Sequence, residues 1–251
     1  MRYTKEELRH AKRTLKKWQT IKDNNNVVHV PDDDAITCIE LEPQLYRVFS
    51  IDKDKNLEKG GRFYGAHYQR LSKEERSRIL IDNEPTVELD FGSLHISMLY
   101  HREGLECPED PYKIEGIPEY ARPLIKLATN IIINAYSIVN AKESLQKNVY
   151  KDKELLNIKK RLQKISYMQI LQMIKKTHSA VSKYFHSDYG IKLQKDDSDI
   201  ANGVIKRLMK KNILALVVHD SFIVQKKHED ELRKAMVLEY KKKFGKRPVI
   251  K

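Results

Sequence analysis

Residues 212–225, NILALVVHDSFIVQ, restrict the available folds most severely. Two short apolar, β-branched runs flank His219 and Asp220 and read as two strands hinged at that pair. A second stretch, TVELDFGSLHISMLYHREG at 86–104, starts as a strand and continues as a helix, with Asp90 at the join. Each apolar strand thus delivers one aspartate to an end or a turn. An ionised carboxylate beside apolar strands is costly unless it is hydrogen-bonded or holds a cation, so the two acids invite one explanation. Taken singly, each is better explained by capping a turn or a helix. Taken together, hard oxygen ligands of this kind suit Mg2+, with Mn2+ as a substitute. A pair of such ions about 4 Å apart activates an attacking hydroxyl and stabilises a leaving phosphate oxygen.

A stripe of polar residues accompanies them. Pro123 suits the first position of a helix covering PLIKLATNIIINAYSIVNA, and Arg122, Lys126, Asn130 and Asn134 then recur every fourth residue along one side. Such a face is able to grip a triphosphate, the arginine by paired hydrogen bonds and the lysine as a point charge; the bland reading is an ordinary basic helix face.

Elsewhere the punctuation is conventional. Thr4 and Glu7 form a capping-box start for a basic helix to about Trp18, and residues 35–51 read as one or two short strands. The charged DKDKNLEKGG ends in a glycine pair that predicts a loop, and residues 1–58 are expected to be an accessory region before a main unit at 59–251. A basic helical pattern runs over 152–186, and Gly190 is expected to stop a helix. A further helix over roughly 198–211 carries Ile200, Ala201, Val204, Ile205, Leu208 and Met209 on one face. Strands and helices in this order predict a mixed α/β (α+β) fold.

Charge points to the partner. Lys and Arg number 48 against 35 Asp and Glu, a formal charge of +13, which favours a polyanion such as nucleic acid. Cys38 and Cys107 show no CxxC spacing, no signal peptide is evident and no run reaches the roughly 18 apolar residues of a membrane span. A cytoplasmic protein with no membrane partner is expected.

The order of GGRFYG, VELDFGSLHISMLY, RPLIKLATNIIINA, LQKDDSDIANGVIKRLMKKN and LALVVHDSFIV resembles the palm and fingers of family A DNA polymerases and bacteriophage-type single-subunit RNA polymerases. The resemblance spans about residues 60–225. It implies a palm with a small antiparallel sheet and helical fingers, occupying 59–251. Asp90 matches the metal-binding acid of motif A and Phe91 the aromatic that often follows it. Arg122 and Lys126 match the RxxxK of motif B, and Asp220 matches the motif C acid, preceded by His219. HDSF looks most like the phage RNA polymerases. Gln194 and Asp199 reproduce the spacing of a helix lying along primer and template, and Arg62, with Tyr64 beside it, is similar to a segment that touches the duplex.

The chain also departs from the pattern. His95 stands where family A DNA polymerases usually place a glutamate that excludes the ribose 2′-hydroxyl, and Asn134 where a tyrosine usually closes motif B. Ser221 replaces the glutamate that follows the motif C acid in many DNA enzymes. The implied activity is transfer of nucleoside monophosphates from nucleoside triphosphates to a nucleic-acid 3′-hydroxyl, by a template-directed DNA or RNA polymerase of primase or gap-filling type. Asp90 and Asp220 would hold two Mg2+ ions; Arg122, Lys126, Asn130, Asn134, His95 and Phe91 would meet the nucleotide; Arg62, Tyr64, Gln194 and His219 would meet primer or template. With no thumb evident, a protein partner supplying processivity is expected. The alternatives are an untemplated terminal transferase and a catalytically inactive nucleic-acid-binding protein.

Overall fold

The computed structural model describes residues 45–50 and 59–251. In chain order the elements are β1 (Tyr46–Ser50), β2 (Lys59–Tyr64), α1 (Lys73–Arg76), β3 (Leu80–Ile81), β4 (Glu84–Asp90), α2 (Leu94–Arg102), α3 (Arg122–Asn134) and α4 (Ile138–Lys151). They continue with α5 (Lys153–Arg161), α6 (Tyr167–Thr177), α7 (Gly190–Met209), β5 (Leu216–Val218), β6 (Ser221–Gln225) and α8 (Glu229–Phe244). The fold is mixed α+β with two small antiparallel sheets, as expected for the class. One sheet is the β1–β2 hairpin; the other has the order β3-β4-β6-β5. β1 thus ties the described end of the 1–58 region to the residues after it. No helix among the described residues is long and apolar enough to cross a membrane.

Alternation along β6 sets the layers. Phe222 and Val224 face the main core with Leu89 and Val217, whereas Ile223 faces a smaller cluster of Ala66, Tyr68, Ile79, Ile81 and Val218. The main core extends through α3, whose Leu124, Ile125, Ala128, Ile132 and Ile133 are fully buried. Each large side chain so buried contributes about 1.5–3 kcal/mol. The opposite face of α3 leaves Lys126, Asn130 and Asn134 exposed, so the amphipathic period itself aims the polar stripe outward.

Several expectations need correcting. The helix expected over 123–141 is two helices. Ala135 turns extended (ψ 150°) and the Ser137 hydroxyl caps α4 by accepting from Asn140 N at 3.0 Å. Residues 152–186 likewise break, at Asp152, which caps α5, and at Ser166, which caps α6. Gly190 starts α7 rather than stopping a helix; a Cβ there would collide with the Asn134 side chain. α7 begins eight residues earlier than expected, and Met209 lies outside its buried face at 64% exposure. The glycine pair sits inside β2, where Gly61 (φ +86°) lies against Phe49, Ser198 and Arg47 beside a register shift at Val48/Phe49. The helix expected from Thr4 to Trp18 lies outside the described residues. Residues 226–251, for which no element is predicted, form α8 and a closing strap at 249–251 that pairs with the end of β4.

Candidate functional site

The β4–β6 register brings the two distant acids together. Asp90 pairs with Ser221, and Val218 with Ser221 across a two-residue turn, so Asp220 occupies the turn beside the end of β4; Phe91 N donates to Asp220 O at 3.4 Å. Both acid-bearing turns carry a non-glycine residue in the left-handed region, His219 (φ 56°) and Ser93 (φ 52°). Such conformations persist where the surrounding structure enforces them, and they concentrate at functional sites.

Neither the Asp90 nor the Asp220 carboxyl has a hydrogen-bonding or ion-pairing partner among the described residues. Asp90 keeps solvent contact at a cavity mouth, yet the protein around it pushes its pKa up to about 7, through desolvation first and then the charges of Asp220 and Glu88. Lys126 and Lys73 oppose the shift. Glu88, two residues earlier on the same strand face, is held by Arg76 through both oxygens (2.8 and 2.9 Å) and accepts from Ser221 Oγ at 2.6 Å. Ser221 therefore bonds to Glu88 on the strand face that also carries Asp90.

A cavity of about 330 Å³ opens over the acids. Ten of the twelve residues to which the resemblance gives metal, nucleotide or nucleic-acid contacts line it: Arg62, Asp90, Phe91, His95, Arg122, Lys126, Asn130, Asn134, Gln194 and Asp220. Tyr64 and His219 lie outside it but adjacent to each other, with ring centroids 6.3 Å apart, and Tyr64 continues to Tyr46 at 6.4 Å. Asp199 is likewise absent from the lining; Arg47 and Lys195 hold it.

Three placements differ from expectation. The paired hydrogen bonds of Arg122 go to Asp110 (2.8 and 3.0 Å) rather than outward, with the guanidinium 5.2 Å over the Tyr112 ring. The Phe91 ring is 3% exposed and packs on Phe222 and Tyr240, so it anchors the turn instead of offering a face to a nucleotide. Arg62 is held inward: its Nε donates to Asp197 at 3.2 Å and its Nη2 lies 3.5 Å from His95 Nε2. Burial, followed by the Arg62 charge, lowers the His95 pKa to about 4, so this ring is neutral at neutral pH.

Asp197 is a residue that sequence reasoning missed. It is 2% exposed, and burial pushes its carboxyl up to about 7 against the pull of Arg62, with Asp220 and Asp90 adding to the rise. A signal was present. Asp197 sits in phase with Leu193, Ile200, Ala201, Val204 and Leu208 on the buried face of α7, so the period marks it as an acid on an apolar stripe. Asp110 and Lys251 were also missed, and neither lies in a periodic pattern.

No group of three His, Cys, Asp or Glu residues able to hold a metal ion occurs among the described residues. Two adjacent carboxylates without partners among the described residues, one of them with a raised pKa, still fit Mg2+, which keeps several waters and needs one or two carboxylates plus substrate phosphates. Lys126 is the cation of α3 that faces the cavity without an ion-pair partner among the described residues. No protein-family model and no curated protein matches this chain.

Proposed function

We propose that the chain is a metal-dependent nucleotidyltransferase that extends a nucleic-acid 3′-hydroxyl from nucleoside triphosphates, in the manner of a template-directed DNA or RNA polymerase making or filling short stretches. One observation carries the reading: Asp90 and Asp220, 130 positions apart in sequence, meet at a strand end and the neighbouring turn, without partners among the described residues, under a cavity that Lys126 also lines. In the reaction the 3′-oxygen bonds to the α-phosphorus and the bond to the β-phosphate bridging oxygen breaks. Pyrophosphate leaves with that electron pair, and the hydroxyl proton passes to water. Mg2+ ions held by Asp90 and Asp220 would supply charge neutralisation at the phosphates and acidify the attacking hydroxyl. Lys126 binds phosphate as a point charge, Asn130 and Asn134 offer amides, and neutral His95 borders the sugar side. The net charge of +13 supports a nucleic-acid partner gripped through its backbone, with binding that weakens steeply with salt.

A labelled extension assay with Mg2+, comparing ribo- and deoxyribonucleotides with and without template and primer, tests the reading. Asp90→Asn and Asp220→Asn should each lower extension by at least about 10³-fold while leaving nucleic-acid binding intact. Extension without template would identify a terminal transferase. A second reading, an inactive nucleic-acid-binding relative, draws on the pairing of Arg122 with Asp110 and of Arg62 with Asp197. Binding by the unaltered protein with no extension under any of these conditions would favour it.

A further inference from the structure

The strap at 249–251 pairs with the residue on which the site depends. Lys251 N donates to Asp90 O at 2.9 Å and Asp90 N donates to Lys251 O at 3.0 Å, while Gly92 N donates to Val249 O at 2.9 Å. Phe91 and Ile250 form the antiparallel bridge between these bonds. Two residues that exchange both main-chain bonds lie directly opposite one another with their side chains on the same face, so Lys251 flanks Asp90 on one side as Ser221 does on the other. Gly92 leaves the room: a Cβ there would stand 3.0 Å from Val249 Cγ1 and 3.3 Å from Lys251 Cε. Ile250 packs against the main core, which anchors the strap. The side chain of Lys251 is exposed and lines the same cavity as Asp90, Asp220 and Lys126.

The distribution of cations gives this placement a use. Four of them line the cavity: Arg62, Arg122, Lys126 and Lys251. Asp197 pairs with the first and Asp110 with the second. Lys126 and Lys251 form no ion pair among the described residues. A triphosphate entering the cavity would meet those two ammonium groups, one from α3 and one from the strap, each acting on a nearby carboxylate only at longer range. We infer that Lys251 is a second phosphate-binding lysine of the site, contacting the triphosphate of the incoming nucleotide opposite Lys126. The inference rests on the nucleotidyltransferase reading and adds a residue to it.

The test is steady-state extension of a primed template by Lys251→Met and Lys251→Arg, with the dissociation constant of the primed template measured in parallel. The strap pairs through main-chain atoms, so both variants should melt close to the unaltered protein. Lys251→Met should raise KM for the incoming nucleotide about tenfold, with a smaller change in kcat and an unchanged affinity for primed template. Lys251→Arg should restore most of the loss. An unchanged KM in an active Lys251→Met protein would overturn the assignment and leave the wider reading standing. Weakened primed-template binding with KM unchanged would overturn it in favour of a backbone contact. Absence of extension by the unaltered protein would overturn both, and that outcome needs no variant to detect.

Discussion

Two groups of aspartates meet near the cavity, and they are treated in opposite ways. On α7, Asp196 receives Arg102 and Lys243, Asp197 receives Arg62, and Asp199 receives Arg47 (3.0 Å), Lys195 and Lys243. Those cations come from β1, β2, α2, α7 and α8, so the acids of α7 act as a clasp that holds the hairpin and the last helix to the core. Asp90 and Asp220 receive no cation or donor among the described residues, although four cations line the cavity above them. A fold that neutralises three acids within one helical turn and leaves two adjacent ones bare separates acids that hold the scaffold from acids open to a ligand.

That separation predicts a double dissociation. Asp90→Asn and Asp220→Asn should lose extension by the margin stated above with no loss of melting temperature, because each removes one of two unpartnered like charges. Asp196→Ala should do the reverse. It leaves Arg102 and Lys243 without their shared partner and should lower unfolding free energy by about 2 kcal/mol in urea titration. Its catalytic effect should vanish at temperatures where the variant remains folded. If Asp196→Ala is neutral for stability, the clasp is wrong.

A smaller effect follows from the raised pKa of Asp90. Its value in the folded protein, about 7, exceeds the ordinary carboxylate value of 3.8, so between these limits the folded state holds the additional proton. The contribution of this group is therefore stabilising relative to full ionisation at low pH and is lost as pH rises towards 7. Several histidines, including His95, His178 and His219, have lowered pKa values and act in the opposite sense as pH falls. The informative quantity is thus the difference between Asp90→Asn and the unaltered protein in chelator. It should be near zero at pH 4 and grow to a plateau above about pH 7, at roughly 1–2 °C in melting temperature after solvent screening. A difference independent of pH would remove the electrostatic account of this site.

Local pattern and distant pairing divide what the sequence makes legible. The acid-bearing strand ends are readable because apolar strands around Asp90 and Asp220 leave few other roles for the chain, and the α3 stripe is readable because every-fourth spacing survives folding unchanged. The break at Ala135 carries no strong signal; it is fixed by Ser137 and by amides reaching back, His186 N to Ile132 O (3.0 Å) and Asp188 N to Ala135 O (3.2 Å). Gly190 is ambiguous in sequence, since the same residue that ends helices here clears space for Asn134. Lys251 is invisible locally, because its place depends on main-chain pairing with a residue 161 positions earlier. Asp110 sits in a connector where no period applies.

The smallest prediction concerns that connector and sharpens the comparison at its boundary. The Asp110–Arg122 pair has bidentate geometry, yet both side chains are about one-third exposed, at 32% and 37%. Exposed pairs contribute little, so Asp110→Asn should change unfolding free energy by less than about 0.5 kcal/mol, in contrast to Asp196→Ala. The Arg122 guanidinium holds the Asp110 carboxyl below the usual range, so any loss should be complete above the ordinary carboxylate pKa and should fade as pH falls through the lowered value of the folded protein. What should change is the availability of Arg122. With its partner neutralised, the guanidinium regains the freedom to turn towards the cavity, where it becomes a third unpaired cation beside Lys126 and Lys251. KM for the incoming nucleotide should then fall modestly, by about two- to threefold, and the fall should disappear in the Asp110→Asn, Arg122→Gln double variant. A rise in KM would mean that Asp110 orients Arg122 for the nucleotide, which would place it with the acids of the site instead of those that hold the scaffold.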